Sequence, residues 1–187
     1  MELLIIDNHD SFVFNIVQLI GKLGAKYKVV SNEEAHLVDP DNFEKIIISP
    51  GPGTPMNSID RGTIDQLLPK LKSQKILGVC FGHQLLGMKM GSGIYVMKEP
   101  MHGEVDTMVH GISPIYADVP ERFMAVRYHS LALDPSSELQ VDCVSATDKT
   151  VMGFHSRDMH RFGVQFHPES LYSEYGERII SNFLEAC

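Results

Sequence analysis

A cysteine between two glycines is the residue of this chain best placed to do chemistry. The stretch GVCFG at 78–82 follows an apolar run and leads into a helix-like segment. A G-x-nucleophile-x-G pattern is typical of a sharp strand-to-helix turn that exposes the central side chain above a sheet. The glycines leave room for that turn, and the free N–H groups of a helix that begins after Cys80 favour its thiolate. The pattern therefore makes Cys80 a candidate nucleophile.

Taken alone, the same pattern leaves other roles open for Cys80. It could be a small core residue, a metal ligand or half of a disulfide. The other two cysteines, Cys143 and Cys187, are far from it in the chain, and an odd total of three favours reduced thiols in a cytoplasmic protein. Cys143 lies in an alternating run and is expected in the core or on a sheet surface. Cys187 is expected as an exposed chain end.

A second stretch, QFHPES at 165–170, pairs a histidine with a carboxylate. Pro168 biases His167 towards extended backbone, in which residues i and i+2 project to the same side. We therefore expect His167 and Glu169 to lie together, with the carboxylate orienting the imidazole. The alternative is that these two residues are simply a surface histidine and a solvated glutamate, which would show the same spacing. Only in combination with Cys80 does this stretch supply the base and orienter of a Cys-His-Glu triad.

A third stretch, SPGPGTP at 49–55, forms a loop after an apolar run. In a parallel sheet, loops at the carboxyl ends of the strands line the functional crevice, and both this loop and the Cys80 turn leave from such ends. A glycine–proline loop is stiff and bare, so the N–H of Gly53 can approach a substrate oxygen. Paired with the N–H of Phe81, it would form an oxyanion hole. A rigid turn without a ligand is the alternative, and the loop lacks the GK[ST] of a phosphate-binding loop.

The elements that must position these residues alternate between strand and helix in the first half of the chain. The apolar patterns predict strands at 3–7, 27–30, 45–49 and 75–80, and helices at 12–23, about 60–71 and 83–90. The second half is richer in short β segments, at 105–109, 124–128, 139–145, 151–155 and 163–166, before a helix at 176–185. We therefore predict one α/β domain over residues 1–187. Its central, mostly parallel sheet is flanked by helices, and antiparallel strands are added in the second half.

Composition narrows the classes of function. A net charge of −8 without a basic stripe argues against nucleic-acid binding, because phosphates are neutralised by clustered Lys and Arg. The N-terminal MELLIID has no positively charged region, so no signal peptide is expected, and no stretch approaches the roughly 20 apolar residues that span a bilayer. These features favour a cytoplasmic protein that contacts neither membrane nor nucleic acid.

Several stretches of the chain, taken together, resemble the signatures of the class I, triad-type glutamine amidotransferases. The three general ones are GVCFGHQ at 78–84, SPGPGTP at 49–55 and VQFHPES at 164–170. Three more, DNHDSF at 7–12, MHG at 101–103 and RYHSL at 127–131, are similar to the glutaminase component of anthranilate synthase and its relative in aminodeoxychorismate synthesis. The resemblance covers nearly the whole chain and implies a flavodoxin-like core.

Residue by residue, the resemblance implies that Cys80 is the nucleophile, His167 the base and then acid, and Glu169 its orienter. It also implies a set of residues that hold glutamine and its oxyanion: Gly51, Pro52, Gly53, Phe81, Gln84, Ser130 and Leu131. The implied substrate is L-glutamine, and the chemistry requires no metal and no organic cofactor. No part of the chain is left for a second active site. A separate chorismate-using synthase subunit is therefore the implied partner that receives the ammonia.

Two positions depart from the family pattern. Phe81 stands where leucine or tyrosine is common, which a role for its backbone N–H tolerates. Glu104 stands where lysine or arginine is common, and this reverses a charge on a segment that would face the partner. Other classes share the triad logic and stay as rivals: the glutaminases of GMP or carbamoyl-phosphate synthesis, a cysteine peptidase on a related fold, and a non-enzymatic binding module.

Nine histidines raise the question of a metal site, but no HExxH or CxxC spacing is present. We expect His155 and His160 to be a pair of loop residues. His9 and His129 are also expected to be loop residues, and only their place within the 7–12 and 127–131 motifs suggests a role for them. The sequence therefore predicts no metal ligands.

Overall fold

The strands of the chain form one sheet, which is parallel in one half and antiparallel in the other. The structure, a computed structural model, describes residues 2–185. The strands are β1 (Glu2–Asp7), β2 (Tyr27–Ser31), β3 (Phe43–Ile48), β4 (Lys75–Val79), β5 (Gly93–His110), β6 (Arg122–Asp134), β7 (Leu139–Ser145), β8 (Val151–Ser156) and β9 (Arg161–Val164). The α-helices are α1 (Val13–Lys22), α2 (Ile64–Leu67), α3 (Phe81–Lys89) and α4 (Gly176–Glu185).

The parallel half of the sheet is buried on both faces, as its unbroken apolar runs predict. Strands run in the order β2-β1-β3-β4-β9, and each neighbouring pair is parallel. Leu3 and Ile5 of β1 pack into the cluster that contains α1 and α4, whereas Leu4 and Ile6 pack into the cluster with α2 and α3. Alternate residues thus face opposite layers of helices. The α/β fold class predicted from the sequence is confirmed.

The antiparallel half continues the same sheet in the order β9-β8-β7-β5-β6. The sequence pattern predicts strands at 105–109 and 124–128, but β5 and β6 form a much longer hairpin, and β5 alone covers 18 residues. The outer part of β5 is largely exposed, so its side chains show no apolar alternation. Pro100 lies where the pairing register shifts between Val96 and Met101. A proline inside a run argues against a strand, so the sequence pattern does not predict this part of β5.

Two helices differ from their predicted bounds because of local backbone constraints. The pattern predicts a helix over about 60–71, but α2 is short and a 3₁₀ turn covers Leu68–Lys70. Gly62 has a φ of +54°, outside the helical region, and Pro69 has no N–H with which to continue the helix. Helix α3 begins at Phe81, earlier than the predicted residue 83, directly after the cysteine. None of the helices within residues 2–185 combines the length and apolar character needed to cross a membrane.

The turn from β4 into α3 depends on two glycines that have no room for a side chain. A Cβ on Gly78 would lie 2.3 Å from the carbonyl oxygen of Gly82, and a Cβ on Gly82 would lie 2.2 Å from that of Ile48. These neighbours are backbone atoms, which cannot rotate away. The glycines therefore let α3 pack directly against β3 and β4, and this packing sets the position of the residue between them.

We predict that Gly82→Ala lowers the free energy of unfolding by about 2–3 kcal/mol, because overpacking against a fixed backbone forces the helix to shift. Chemical denaturation measures the change. Gly21→Ala in α1 is the matched control, since a Cβ there meets nothing within 4 Å. It should stabilise the protein by about 0.5–1 kcal/mol, the usual gain for alanine over glycine in a helix. Equal effects of the two substitutions would contradict the packing argument.

Candidate active site

Cys80 occupies a strained backbone position at the junction of β4 and α3. Its φ of +51° and ψ of −98° lie in a region that residues with a side chain rarely adopt, at a cost on the order of 1–3 kcal/mol. The conformation is held from both sides: the Cys80 N–H donates to the Val164 carbonyl at 2.8 Å, and the Cys80 carbonyl accepts from the Gln84 N–H at 3.1 Å. This places the side chain at the amino end of α3, where free N–H groups favour an anion.

Cys80 is 7% exposed, and polar groups from two separate segments of the chain approach its sulfur. Nε2 of Gln165, just after β9, lies 3.5 Å from Sγ, and the carbonyl oxygen of Tyr128 in β6 lies 3.9 Å away. The buried sulfur therefore has a hydrogen-bond donor on one side and an acceptor on the other.

His167 and Glu169 form a buried ion pair beside this thiol. Nδ1 of His167 lies 2.6 Å from Oε1 of Glu169. Burial disfavours a charged imidazole, but the nearby Cys80 and Glu169 outweigh it and raise the pKa of His167 well above its usual value. Within residues 2–185, Nε2 of His167 and Oε2 of Glu169 have no hydrogen-bond partner. A thiol, an imidazole and a carboxylate in this order can act as nucleophile, base and orienter.

Aromatic rings and backbone bonds hold the imidazole of His167 in place. The ring of Tyr128 packs edge-on at a centroid distance of 5.3 Å, and that of Phe12 at 5.5 Å. The His167 N–H donates to the Val126 carbonyl at 3.1 Å, and the Ser173 hydroxyl donates to the His167 carbonyl at 2.6 Å. Phe12 and Tyr128 lie in the 7–12 and 127–131 motifs, so the structure brings these stretches to the same site.

The glycine–proline loop lies beside the Cys80 turn. A Cβ on Gly51 would be 2.6 Å from Cβ of Asn8 and 3.4 Å from the ring of Phe81, so the loop packs against the first residue of α3. Gly53 has a φ of +79° and turns against the carboxylate of Asp60, which accepts the Thr54 N–H at 2.9 Å. Gly51 is half-buried, whereas Pro52 and Gly53 are exposed and open to a ligand.

Gln84 connects the helix to the 127–131 motif. Its Nε2 donates to the Leu131 carbonyl and to Oε1 of Gln165, each at 3.0 Å. Both N–H groups of the Gln84 amide are thereby used, and only its Oε1 stays open to a ligand. The Leu131 carbonyl also accepts from Nδ1 of His129 at 2.9 Å, while Ser130 is exposed. Of this pair, Ser130 is thus the one with an open side chain.

A buried arginine, Arg127, holds the 127–131 motif in place through its side-chain contacts. No role for this residue is predicted from the sequence. Arg127 is fully buried and binds Oδ2 of Asp106 at 2.6 Å and Oδ2 of Asp148 at 2.9 Å. Its Nε donates to Nε2 of His129 at 3.1 Å, which leaves the proton of that ring on Nδ1. Burial by itself raises the pKa of Asp148, but hydrogen bonds from Arg127 and Thr150 outweigh it and hold that pKa well below its usual range.

The structure also tests the expectations for the cysteines and histidines that lie outside the site. Cys143 is buried, and burial raises the pKa of its thiol strongly; Cys187 lies outside the described residues. His155 belongs to the strand predicted at 151–155 and not to a loop pair with His160, because it lies in β8 with Nδ1 2.8 Å from Oδ2 of Asp142. His129 is likewise a buried strand residue of β6. His129 was misplaced because the predicted strand ended at residue 128, one residue before it, whereas β6 continues to Asp134.

The chain is similar to known proteins both in its sequence and in its fold. The family model "Glutamine amidotransferase class-I" matches residues 4–187. A protein named anthranilate synthase component 2 from Saccharolobus solfataricus is 41% identical over 97% of this chain and 96% of its own length. One of the same name from Thermus thermophilus is 40% identical over 99% of this chain and 92% of its own. The solved structure of a glutamine amidotransferase from Thermotoga maritima matches at a TM-score of 0.77 and 16% identity, covering 100% of this chain and 81% of that one.

We predict an acid-sensitive stability that depends on His129. Burial lowers its pKa to about 4, below the 6.5 of an exposed histidine, so the unfolded chain binds the proton more readily. The stabilisation is fully present above about pH 6.5 and is lost as the pH falls to about 4, at an expected cost of about 3 kcal/mol.

His129→Gln, which does not titrate, should therefore lose about 3 kcal/mol less than the natural chain over this range. Urea denaturation at a series of pH values measures the free energy of unfolding. His102→Gln, at an exposed position, controls for the removal of a histidine as such. The same pH slope for His129→Gln and the natural chain would contradict the prediction.

Proposed function

The chain belongs to the class I glutamine amidotransferase family, and we propose that it is the glutamine-hydrolysing subunit of an anthranilate synthase. One observation carries the proposal: a thiol at a strained strand-to-helix turn lies beside a buried His167–Glu169 pair whose Nδ1···Oε1 distance is 2.6 Å. The two relatives named anthranilate synthase component 2, matched over almost their whole length, support the choice of pathway.

In the proposed reaction, the Cys80 thiolate attacks the side-chain amide carbon of L-glutamine. The carbonyl oxygen becomes an oxyanion held by the N–H groups of Gly53 and Phe81. His167, oriented by Glu169, gives a proton to the amide nitrogen, the C–N bond breaks and ammonia leaves. A γ-glutamyl thioester remains on Cys80.

Water then completes the cycle. His167, now neutral, takes a proton from a water molecule that attacks the thioester carbon. The C–S bond breaks, glutamate leaves and the thiolate returns. This sequence needs neither a metal nor an organic cofactor, and its thiol must stay reduced, so we include a cytoplasmic location in the proposal.

Ammonia is the product that the proposed partner uses. In water it would be largely protonated and lost, so we propose direct delivery to a separate, chorismate-binding synthase subunit. The 101–104 segment of β5 fits an interface near the site, because Gly103 packs against the ring of Tyr128, and His102, Gly103 and Glu104 are exposed. An acidic Glu104 there calls for a neutral or basic surface on the partner.

We predict that Cys80→Ser abolishes glutamine-dependent but not ammonia-dependent anthranilate formation by the two-protein complex. The expected loss is at least about a thousandfold, the scale seen when a covalent nucleophile is removed. Cys143→Ala, which removes a buried thiol outside the site, is the matched control and should keep both activities. Fluorescence of anthranilate measures them. Loss of both activities in Cys80→Ser would show a structural role instead.

A second prediction concerns the partner itself. Glutamine hydrolysis by the isolated chain should be slow and should rise about tenfold or more when chorismate and the synthase subunit are present, a typical size for coupling between sites. Co-purification from the source cell, followed by mass spectrometry, identifies the partner, and the product distinguishes anthranilate from aminodeoxychorismate. Equal turnover by the isolated chain and the complex would overturn the coupling, and cleavage of peptides in place of glutamine would indicate a peptidase.

A further inference from the structure

Gln165 is a fully buried glutamine whose side chain spans the distance between Gln84 and the sulfur of Cys80. It follows β9, and its backbone N–H donates to the Met152 carbonyl at 2.9 Å, which anchors it in the sheet. Its Oε1 accepts from Nε2 of Gln84 at 3.0 Å, and its Nε2 lies 3.5 Å from Sγ of Cys80. The reaction steps proposed above give this side chain no role.

The direction in which the Gln165 amide points is determined by its neighbours. The Leu131 carbonyl can only accept, so the atom of Gln84 that lies 3.0 Å from it must be the nitrogen. The same nitrogen lies 3.0 Å from the Gln165 amide, so its neighbour there must be the oxygen of Gln165. The other end of that amide, which faces the sulfur, is then an N–H donor.

We propose that Gln165 is a further catalytic residue, which donates a hydrogen bond to Cys80 and stabilises its thiolate. The inference deepens the proposed function, since it rests on Cys80 being the nucleophile. Gln84 and Leu131 act through Gln165 as positioning groups, because their hydrogen bonds prevent the amide from turning its oxygen towards the sulfur. An oxygen in that place would repel the thiolate.

The hydrogen bond acts at the two steps in which sulfur carries negative charge. When the thiol proton passes to Nε2 of His167, the N–H of Gln165 stabilises the anion that remains. In the thioester the sulfur is neutral and the bond is weak. When water attacks and the C–S bond breaks, the electron pair returns to sulfur and the same N–H stabilises the leaving thiolate. Hydrogen bonds to charged groups are roughly twice as strong as neutral ones.

The test measures alkylation of Cys80 by iodoacetamide as a function of pH, with the Cys80 peptide quantified by mass spectrometry. Gln165→Met keeps the length of the side chain and removes the donor. We expect the pH midpoint of alkylation to move up by about one unit, the size expected for loss of a hydrogen bond to a charged group. Alkylation needs no glutamine, so the result is independent of whether the chain hydrolyses glutamine.

Gln74→Met is the matched control, because Gln74 is also a buried glutamine with both amide atoms bonded, to Pro40, Lys72 and Ser73. It should lower stability without moving the alkylation midpoint. Gln165→Leu, a donor-free side chain of different shape, carries the test if Gln165→Met does not fold. A midpoint that stays at the natural value in a folded Gln165 variant, or that moves equally in Gln74→Met, would overturn the proposal.

Discussion

The site depends on one constraint, the close approach of α3 to β3 and β4 that forces Cys80 into a positive φ. Gly78 and Gly82 permit this approach because side chains at these positions would overlap backbone carbonyls. The strain at Cys80 is balanced by its two backbone hydrogen bonds, to Val164 and Gln84. Cys80 therefore lies at the positive end of the α3 dipole, and its N–H is bonded to β9, the strand that precedes His167.

The second half of the sheet positions the groups around the thiol. Strand β9 ends at Val164, before the predicted end at residue 166, and the chain that follows it provides Gln165, whose amide contacts the sulfur, and then His167. Strand β6 provides Tyr128 and, through the buried Arg127, a rigid base for the Ser130 and Leu131 segment. The antiparallel half therefore positions side chains around Cys80, which follows a strand of the parallel half.

Local patterns in the sequence predicted much of this arrangement, for identifiable reasons. The glycines at 78 and 82 restrict backbone geometry in any fold, and the 3–7 and 45–49 runs are largely apolar because both faces of the sheet are covered. The long β5–β6 hairpin was missed because exposed strand residues do not alternate. The helix over 60–71 was overextended because the pattern does not show the positive φ of Gly62.

The sequence by itself determined the family and the kinds of group available, because a thiol, an imidazole and glycine-rich turns carry their chemistry in their residue types. Only the tertiary structure decided which atoms meet. Arg127 and Gln165 stand inside motifs visible in the sequence, yet their roles depend on residues 18–85 positions away, such as Ser145 and Cys80. Burial makes those contacts obligatory, because a buried polar group must find a partner, and partners so distant in the chain are chosen by packing.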